Sequence, residues 1–347
     1  MRAMILAAGY GTRLWPLTID RAKPAIPFMG RPLVGYVAEY LARHSFRDVV
    51  VNLHHQSESV RAALGDGGRF GVRLRYVEEP VILGTSGALD NARGLLEGDT
   101  FVVINGKIAT NIDLEAALET HRRTGALATL ILRPNPERER YSVVRVRDGR
   151  VEAFGGFPES DNAGGVPLAA LAEGEVKSGG REGAGVEDVP LMFTGIQILE
   201  SRIFSYIPRG VFSHSVTDVY VPAMERGETV AAHVAGGYWH ELSTVKRYLE
   251  TSLELMREEG RDVEPGEGSR IEPGADVRES VLWEGVRVSG GASVFRSILG
   301  AGVVVEGGER IENAAVVRAE LVEGVERPPK GLAGEFRGAN FVAPLPE

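Results

Sequence analysis

The sequence predicts an α/β layered domain over 1–260 and a smaller β-rich repeat domain over 261–347. Two patterns carry this. Strand-like apolar runs alternate with helix-period segments through about the first 250 residues, the mark of a mixed, mostly parallel sheet covered by helices. From about residue 264 the texture changes to short β-rich units with glycines at the corners.

The elements follow in order. The first apolar run, 3–8, follows a single Arg as in a signal peptide, but it ends at Ala8 and passes into Gly9–Arg13. That fits a buried strand opening into a glycine loop. Further strands are expected over 48–53, 73–77, 100–104, 127–132, 142–146, 191–199 and 229–234. Helix 32–44 carries Leu33, Val34, Val37 and Leu41 at helical spacing, with proline in its first turn. Asp113 is placed to cap a helix that Gly125 ends, and Thr244 one that Gly260 ends. Residues 158–190, rich in Gly, Ala, Glu and Pro without sustained periodicity, are expected to form a mobile surface insertion.

Near the C-terminus SVLWEGVRVSGGASVFR (280–296) aligns with SILGAGVVVEGGERIEN (297–313), and AAVV begins a third copy. Units of this kind bury their apolar face only by stacking. They resemble the hexapeptide repeat of left-handed parallel β-helices, where three short strands make one coil. So short a stack is expected to dock on the first domain or to self-associate, giving a homo-oligomer. The tail 327–347 is expected to be irregular or docked in extended form. Acyltransferases built on such helices use a histidine base, and no histidine follows His240, so the repeat is expected to be structural.

Composition removes several classes of function. The 347 residues, 43% hydrophobic and 25% charged, suit a soluble protein with a substantial core. A net charge of −9 from 39 basic and 48 acidic residues argues against nucleic acid or an anionic membrane as partner. With no cysteine there is no disulfide, Cys-ligated zinc, iron–sulfur cluster or thiol nucleophile. No apolar run approaches the roughly 18 residues of a membrane span, and the expected location is the cytoplasm. Only five cations are lysines (Lys23, Lys107, Lys177, Lys246, Lys330), so a lysine inside a motif is informative.

The stretch LAAGYGTRLWPLTIDRAKPAIP (6–27) carries the chemistry. A strand turning through Gly9, Tyr10 and Gly11 brings bare N–H groups close to a ligand, where Cβ atoms would otherwise intrude. Arg13 and Lys23 supply two cations for polyphosphate oxygens. A dinucleotide fingerprint is excluded by Leu14 at the place of its third glycine, and no Gly-Lys-Ser/Thr step of a Walker loop follows.

The whole 6–27 stretch closely resembles the signature of sugar-phosphate nucleotidyltransferases, the NDP-sugar pyrophosphorylases. EEPVILGTSGAL (78–89), FTGIQIL (193–199) and GYWHELSTVKRYLE (237–250) resemble further segments of that family in the right order, and VNLHH (51–55) resembles its mannose-1-phosphate guanylyltransferase-like branch. The resemblance implies a Rossmann-like nucleotidyltransferase domain followed by a left-handed parallel β-helix. It implies nucleoside triphosphate and sugar 1-phosphate as partners, with a GDP-mannose-like product favoured. Leu6, Ala7, Ala8, Gly9, Gly11, Thr12, Arg13 and Lys23 would bind the nucleotide, with Gly84, Thr85 and Gly87 at base and ribose. Arg13 would steady the leaving pyrophosphate and Lys23 the α-phosphate. Asn105, Tyr141, Ser142, Thr194 and Gly195 would face the sugar.

The family normally holds Mg2+ with two aspartates, and this chain has neither. Asn105, Gly106, Lys107 stands for the Asn-Gly-Asp step, and Trp239, His240, Glu241 for the Trp-x-Asp step. An ammonium ligates no magnesium, and the longer Glu241 displaces its carboxylate. The two residues are expected to face one another as an ion pair. Asp113 is read as a helix cap rather than a relocated ligand, and His54 and His55 as rim residues. Ser142 stands where many relatives have glycine, and AFGGFPE (153–159) lacks a Glu-Lys-Pro step. Two readings stay open: an enzyme making an NDP-sugar, or a catalytically impaired relative that binds nucleotide or NDP-sugar as a regulatory or partner subunit.

Overall fold

Ala3, Met4 and Ile5 are fully buried because β1 (Arg2–Leu6) runs through the middle of a sheet covered on both faces. Ala3 and Ile5 enter one apolar cluster and Met4 the opposite one, as strand alternation requires. This computed structural model describes residues 1–136, 143–155, 166–167 and 188–346. The remaining strands of the sheet are β2 (Asp48–Leu53), β3 (Arg73–Glu78), β4 (Phe101–Asn105), β6 (Ala128–Pro134), β7 (Val143–Arg147), β8 (Arg150–Phe154), β9 (Leu191–Leu199) and β10 (Val230–Val234). A two-stranded ladder joins β5 (Ile108–Thr110) to β11 (Trp239–Glu241).

The sheet order is β3-β2-β1-β4-β9-β6-β10-β8-β7. The β3-β2-β1-β4 half and the β6–β10 pair are parallel. β9 runs against β4 and β6, and β8 runs against β10 and β7. The expected mostly parallel sheet is thus parallel in one half and mixed in the other. β1 stops at Leu6, short of the expected Ala8, because the Ala7 N–H leaves the ladder for the Asn52 side chain. Tyr141, Ser142 and nearly all of the 158–190 insertion lie outside the described residues; within the insertion, Val166–Pro167 pairs with Asp188–Val189.

Helices α1 (Leu33–Arg43) and α2 (Leu114–Thr124) pack on one face. Asp113 caps α2 by accepting from the N–H groups of Glu115 (2.8 Å) and Ala116 (3.3 Å), and Gly125 ends it at φ +59°. Thr244 caps α3 (Val245–Glu258) through the Arg247 N–H.

Beyond α3 the chain visits three parallel sheets in turn, and register partners are 17 residues apart, as in Val263↔Ser280, Val281↔Ile298 and Ile298↔Ala315. The stack begins one coil earlier than the legible repeat, at Val263–Glu264. Its corners explain the spacing. Glu279, Arg296 and Asn313 all sit at φ +45°, and the Ser280 and Ser297 hydroxyls accept from the Ser297 and Ala314 N–H groups of the next coil. The tail docks in extended form: Asn340–Pro344 pairs antiparallel with Ala314–Arg318 and in turn with Glu335–Arg337.

One apolar cluster joins this stack to the glycine-loop segment, uniting Leu14, Trp15, Leu17, Ile26 and Phe28 with Tyr248 and Leu249 of α3 and with Val281, Trp283, Ile298 and Phe341. At its centre the buried Trp283 Nε1–H donates to Tyr248 Oη (3.1 Å), which donates to the Pro27 carbonyl (2.6 Å). Arg21 pairs with Glu284 at 2.6 Å and lies over the Trp283 ring. Truncating Trp283 to Ala therefore lowers unfolding free energy by about 3–5 kcal/mol, read from urea denaturation. Trp283→Phe, which keeps a six-membered ring but loses the pyrrole part of the indole and its donor, costs less, about 2 kcal/mol.

Candidate functional site

The glycine loop is held from behind by a buried polar relay. The Ala7 N–H donates to Asn52 Oδ1 (2.7 Å), Asn52 Nδ2 donates to Glu79 Oε1 (2.6 Å), and Glu79 Oε2 accepts the Leu83 N–H (2.9 Å). Asn52 and Glu79 are each 3% exposed, so the relay is a fixed strut from the end of β1 to Leu83. Gly11, at φ +68°, is required twice: the backbone is left-handed, and a Cβ there would lie 3.0 Å from Lys23 Cβ. The loop thus closes directly on the lysine stem. Among the described residues none accepts a hydrogen bond from the Gly9, Tyr10 or Gly11 N–H, and Gly9 and Tyr10 are exposed.

A cavity of about 350 Å³ opens in front of this loop. Leu6, Ala7 and Gly9–Arg13 form one wall, Lys23 the floor, and Asn105–Lys107 with Ser243 the other side. Ala8 is buried behind the loop rather than in the lining. Gly106 lets the two walls meet: its N–H donates to Leu6 O (2.8 Å), and a Cβ would meet Ile5 and Leu6 at 3.0 Å.

Charge dominates the cavity. Arg13 is exposed and makes no ion pair among the described residues. The Lys23 stem reaches the surface, but its amine is desolvated. That desolvation, with the like charge of Lys107 and Arg13 and against the pull of Glu241, lowers the Lys23 pKa to about 7. Lys107 and Glu241 form the expected ion pair, set by the β5–β11 ladder, in which Glu241 opposes Ile108 and the Leu242 N–H donates to Lys107 O (2.8 Å). One guanidinium, two amines and one carboxylate together give the site an excess of cationic groups of the kind that bind oxyanions.

The resemblance calls for a divalent cation between positions 107 and 241, and the residues present do not fit one. One position presents an ammonium, and the other carboxylate is engaged by it. No group of three or more His, Asp or Glu able to hold a metal occurs among the described residues.

The remaining expected site residues divide. Asn105 lines the cavity, and Gly195 (φ +79°) exists to admit it, since a Cβ there would lie 2.1 Å from Asn105 Nδ2. Thr194 is 1% exposed and its hydroxyl donates to Ile131 O, so it braces the sheet and presents nothing to a ligand. Gly84 and Gly87 are demanded by packing, because a Cβ at either would meet the carbonyl of Ser213 at 2.4 Å or Val211 at 2.7 Å. Thr85 Oγ1 accepts the Ser215 N–H (2.8 Å). These three residues fasten the 211–215 segment and do not line the phosphate cavity.

The profile of the nucleotidyl transferase family matches residues 2–258. The chain belongs to that family. As a family member it is 30% identical to a UTP–glucose-1-phosphate uridylyltransferase of Synechocystis over 81% of this chain and 68% of that one. It is 29% identical to a mannose-1-phosphate guanylyltransferase of Mycobacterium tuberculosis over 74% and 64% respectively, so it spans about two-thirds of these relatives. The fold of HddC from Yersinia pseudotuberculosis, solved with GMP-PN, superposes with a TM-score of 0.57 at 20% identity, covering 73% of this chain and 99% of that one.

Two features near this cavity were missed in the sequence, and one rim residue was read there. Ser243 closes the cavity after the Trp239–Glu241 strand. His54, read as a rim residue, bonds Glu79 O (2.7 Å) and meets Tyr10 Oη (3.3 Å), bracing the loop tip. A second cavity, about 460 Å³, is lined by Trp239, His240, Glu241 and the Arg247, Glu250 and Glu254 side of α3. The first two followed motif residues closely, but only the fold brings α3 to β6 and β9. The Lys23 environment makes anion binding pH-dependent. An anion raises the Lys23 pKa from about 7, so binding takes up a proton and affinity falls as pH rises above 7. Calorimetry with tripolyphosphate in buffers of different ionisation heat shows this uptake, and Lys23→Arg abolishes it.

Proposed function

We propose that this chain transfers a nucleoside monophosphate from a nucleoside triphosphate to a sugar 1-phosphate, releasing pyrophosphate. The observation that carries this reading is the cavity in which open loop N–H groups, Arg13 and Lys23 converge. A sugar 1-phosphate oxygen attacks the α-phosphorus, the bond to the β-phosphate oxygen breaks, and pyrophosphate leaves. Arg13, at the open end, neutralises the leaving group, and Lys23, on the floor, the α-phosphate. Such transfer depends on position and charge more than on covalent chemistry. Asn105 and the neighbouring larger cavity, on the Glu241 side, are the proposed acceptor region. A GDP-mannose-like product is favoured by the VNLHH segment and by the guanylyltransferase relative.

One observation favours a second reading. The Lys107–Glu241 pair fits a relative that binds nucleotide or NDP-sugar without turning it over, as a regulatory or partner subunit. On either reading residues 1–260 form the nucleotidyltransferase unit. We further propose that the three-sheet stack over 261–347 coils left-handedly and supports a homo-oligomer, which light scattering measures directly.

Pyrophosphate release from each triphosphate with a panel of sugar 1-phosphates separates the two readings. Turnover by the parent, lowered about 100-fold or more by Arg13→Ala or Lys23→Ala, supports the enzyme. Tight nucleotide binding with no pyrophosphate from any pair supports the binding subunit.

A further inference from the structure

We infer that the protein holds nucleotide phosphates with three cations of its own, Lys107 taking the place of a bound divalent ion, so that nucleotide binding needs no metal. This rests on reading the 350 Å³ cavity as the nucleotide site.

Three observations carry it. First, Lys107 lines the same cavity as Arg13 and Lys23, so its ammonium stands where it can reach a phosphate held by them. Second, its partner is fixed by the backbone. The β5–β11 register and the Leu242–Lys107 hydrogen bond keep Glu241 against the lysine, leaving a divalent ion to compete with an ammonium for one carboxylate. Third, other carboxylates that might have moved in are committed elsewhere. Asp113 accepts two N–H groups at the start of α2, and the Asp218 carboxylate accepts the His214 N–H at 2.7 Å.

The electrostatics favour this arrangement. Magnesium needs near-octahedral oxygen ligands and sheds its waters reluctantly, and here it would sit beside a positive charge. A lysine is a compact point charge on a flexible stem, and it can trade Glu241 for a phosphate oxygen without disturbing the ladder. Arg13 and Lys107 against Glu241 already leave the arrangement net positive, and Lys23 adds a further charge when a bound anion raises its pKa.

The test is calorimetric titration of the full chain with GTP and with UTP at constant ionic strength, in EDTA and again in magnesium chloride. The expected result is an affinity in EDTA within about threefold of that in magnesium. The charge-neutral double variant Lys107→Gln, Glu241→Gln, which leaves no lone carboxylate, should bind about tenfold or more weakly in EDTA. Lys107→Asp with Glu241→Asp should make binding magnesium-dependent. Binding by the parent that appears only with magnesium overturns the inference and leaves the nucleotide-site reading standing. So does binding by the Gln double variant at parental strength in EDTA. Failure of the parent to bind either nucleotide under both conditions removes the site reading itself.

Discussion

The contact on which the structure depends is the closure of the glycine loop over the Lys23 stem. Because Gly11 has no Cβ, the loop and the segment that returns to Lys23 meet within van der Waals distance. Arg13 and Lys23 then flank one opening although ten positions separate them in the chain. The intervening segment is anchored by Leu14, Trp15 and Leu17 in the cluster shared with α3 and the C-terminal stack. The repeat domain therefore packs against the segment that joins the two cations. Burial of the Lys23 amine, and after it the like charges of Lys107 and Arg13, depress its pKa. On the proposed reading, a bound polyanion offsets the cost of charging that amine.

The second constraint is the short ladder that sets Glu241 against Lys107. The relatives this chain resembles are named for different sugars and bases, and such differences are carried by side chains at a site rather than by the fold. In this chain the variation falls on the two positions where a metal is expected. The pair preserves local charge balance while changing its carrier from an ion to a side chain.

Much of this was legible in the residues alone. The strands 48–53 and 191–199 coincide with the observed elements, and both helix caps, Asp113 and Thr244, accept the N–H groups their positions demand. These depend on local patterning, which sequence carries directly. The Lys107–Glu241 pair was legible because both residues depart from a known motif. What escaped depends on approach between distant segments. Thr194 turned inward because the β9–β6 contact offers it a carbonyl, and Gly84 and Gly87 serve the 211–215 segment, whose arrival no local pattern announces. The onset of the stack near 264 was legible as a change of texture, but its first coil fell outside the aligned repeat because 263–279 shares the strand register of its neighbours and little of their text.

The most direct measurement is a crystal structure of the chain with a non-hydrolysable nucleoside triphosphate, grown without divalent ions. The account predicts phosphate oxygens within hydrogen-bonding distance of the Gly9–Gly11 N–H groups, with Arg13, Lys23 and Lys107 around them and Glu241 released. A triphosphate seated outside that cavity, or an empty cavity walled off from nucleotide, would contradict it.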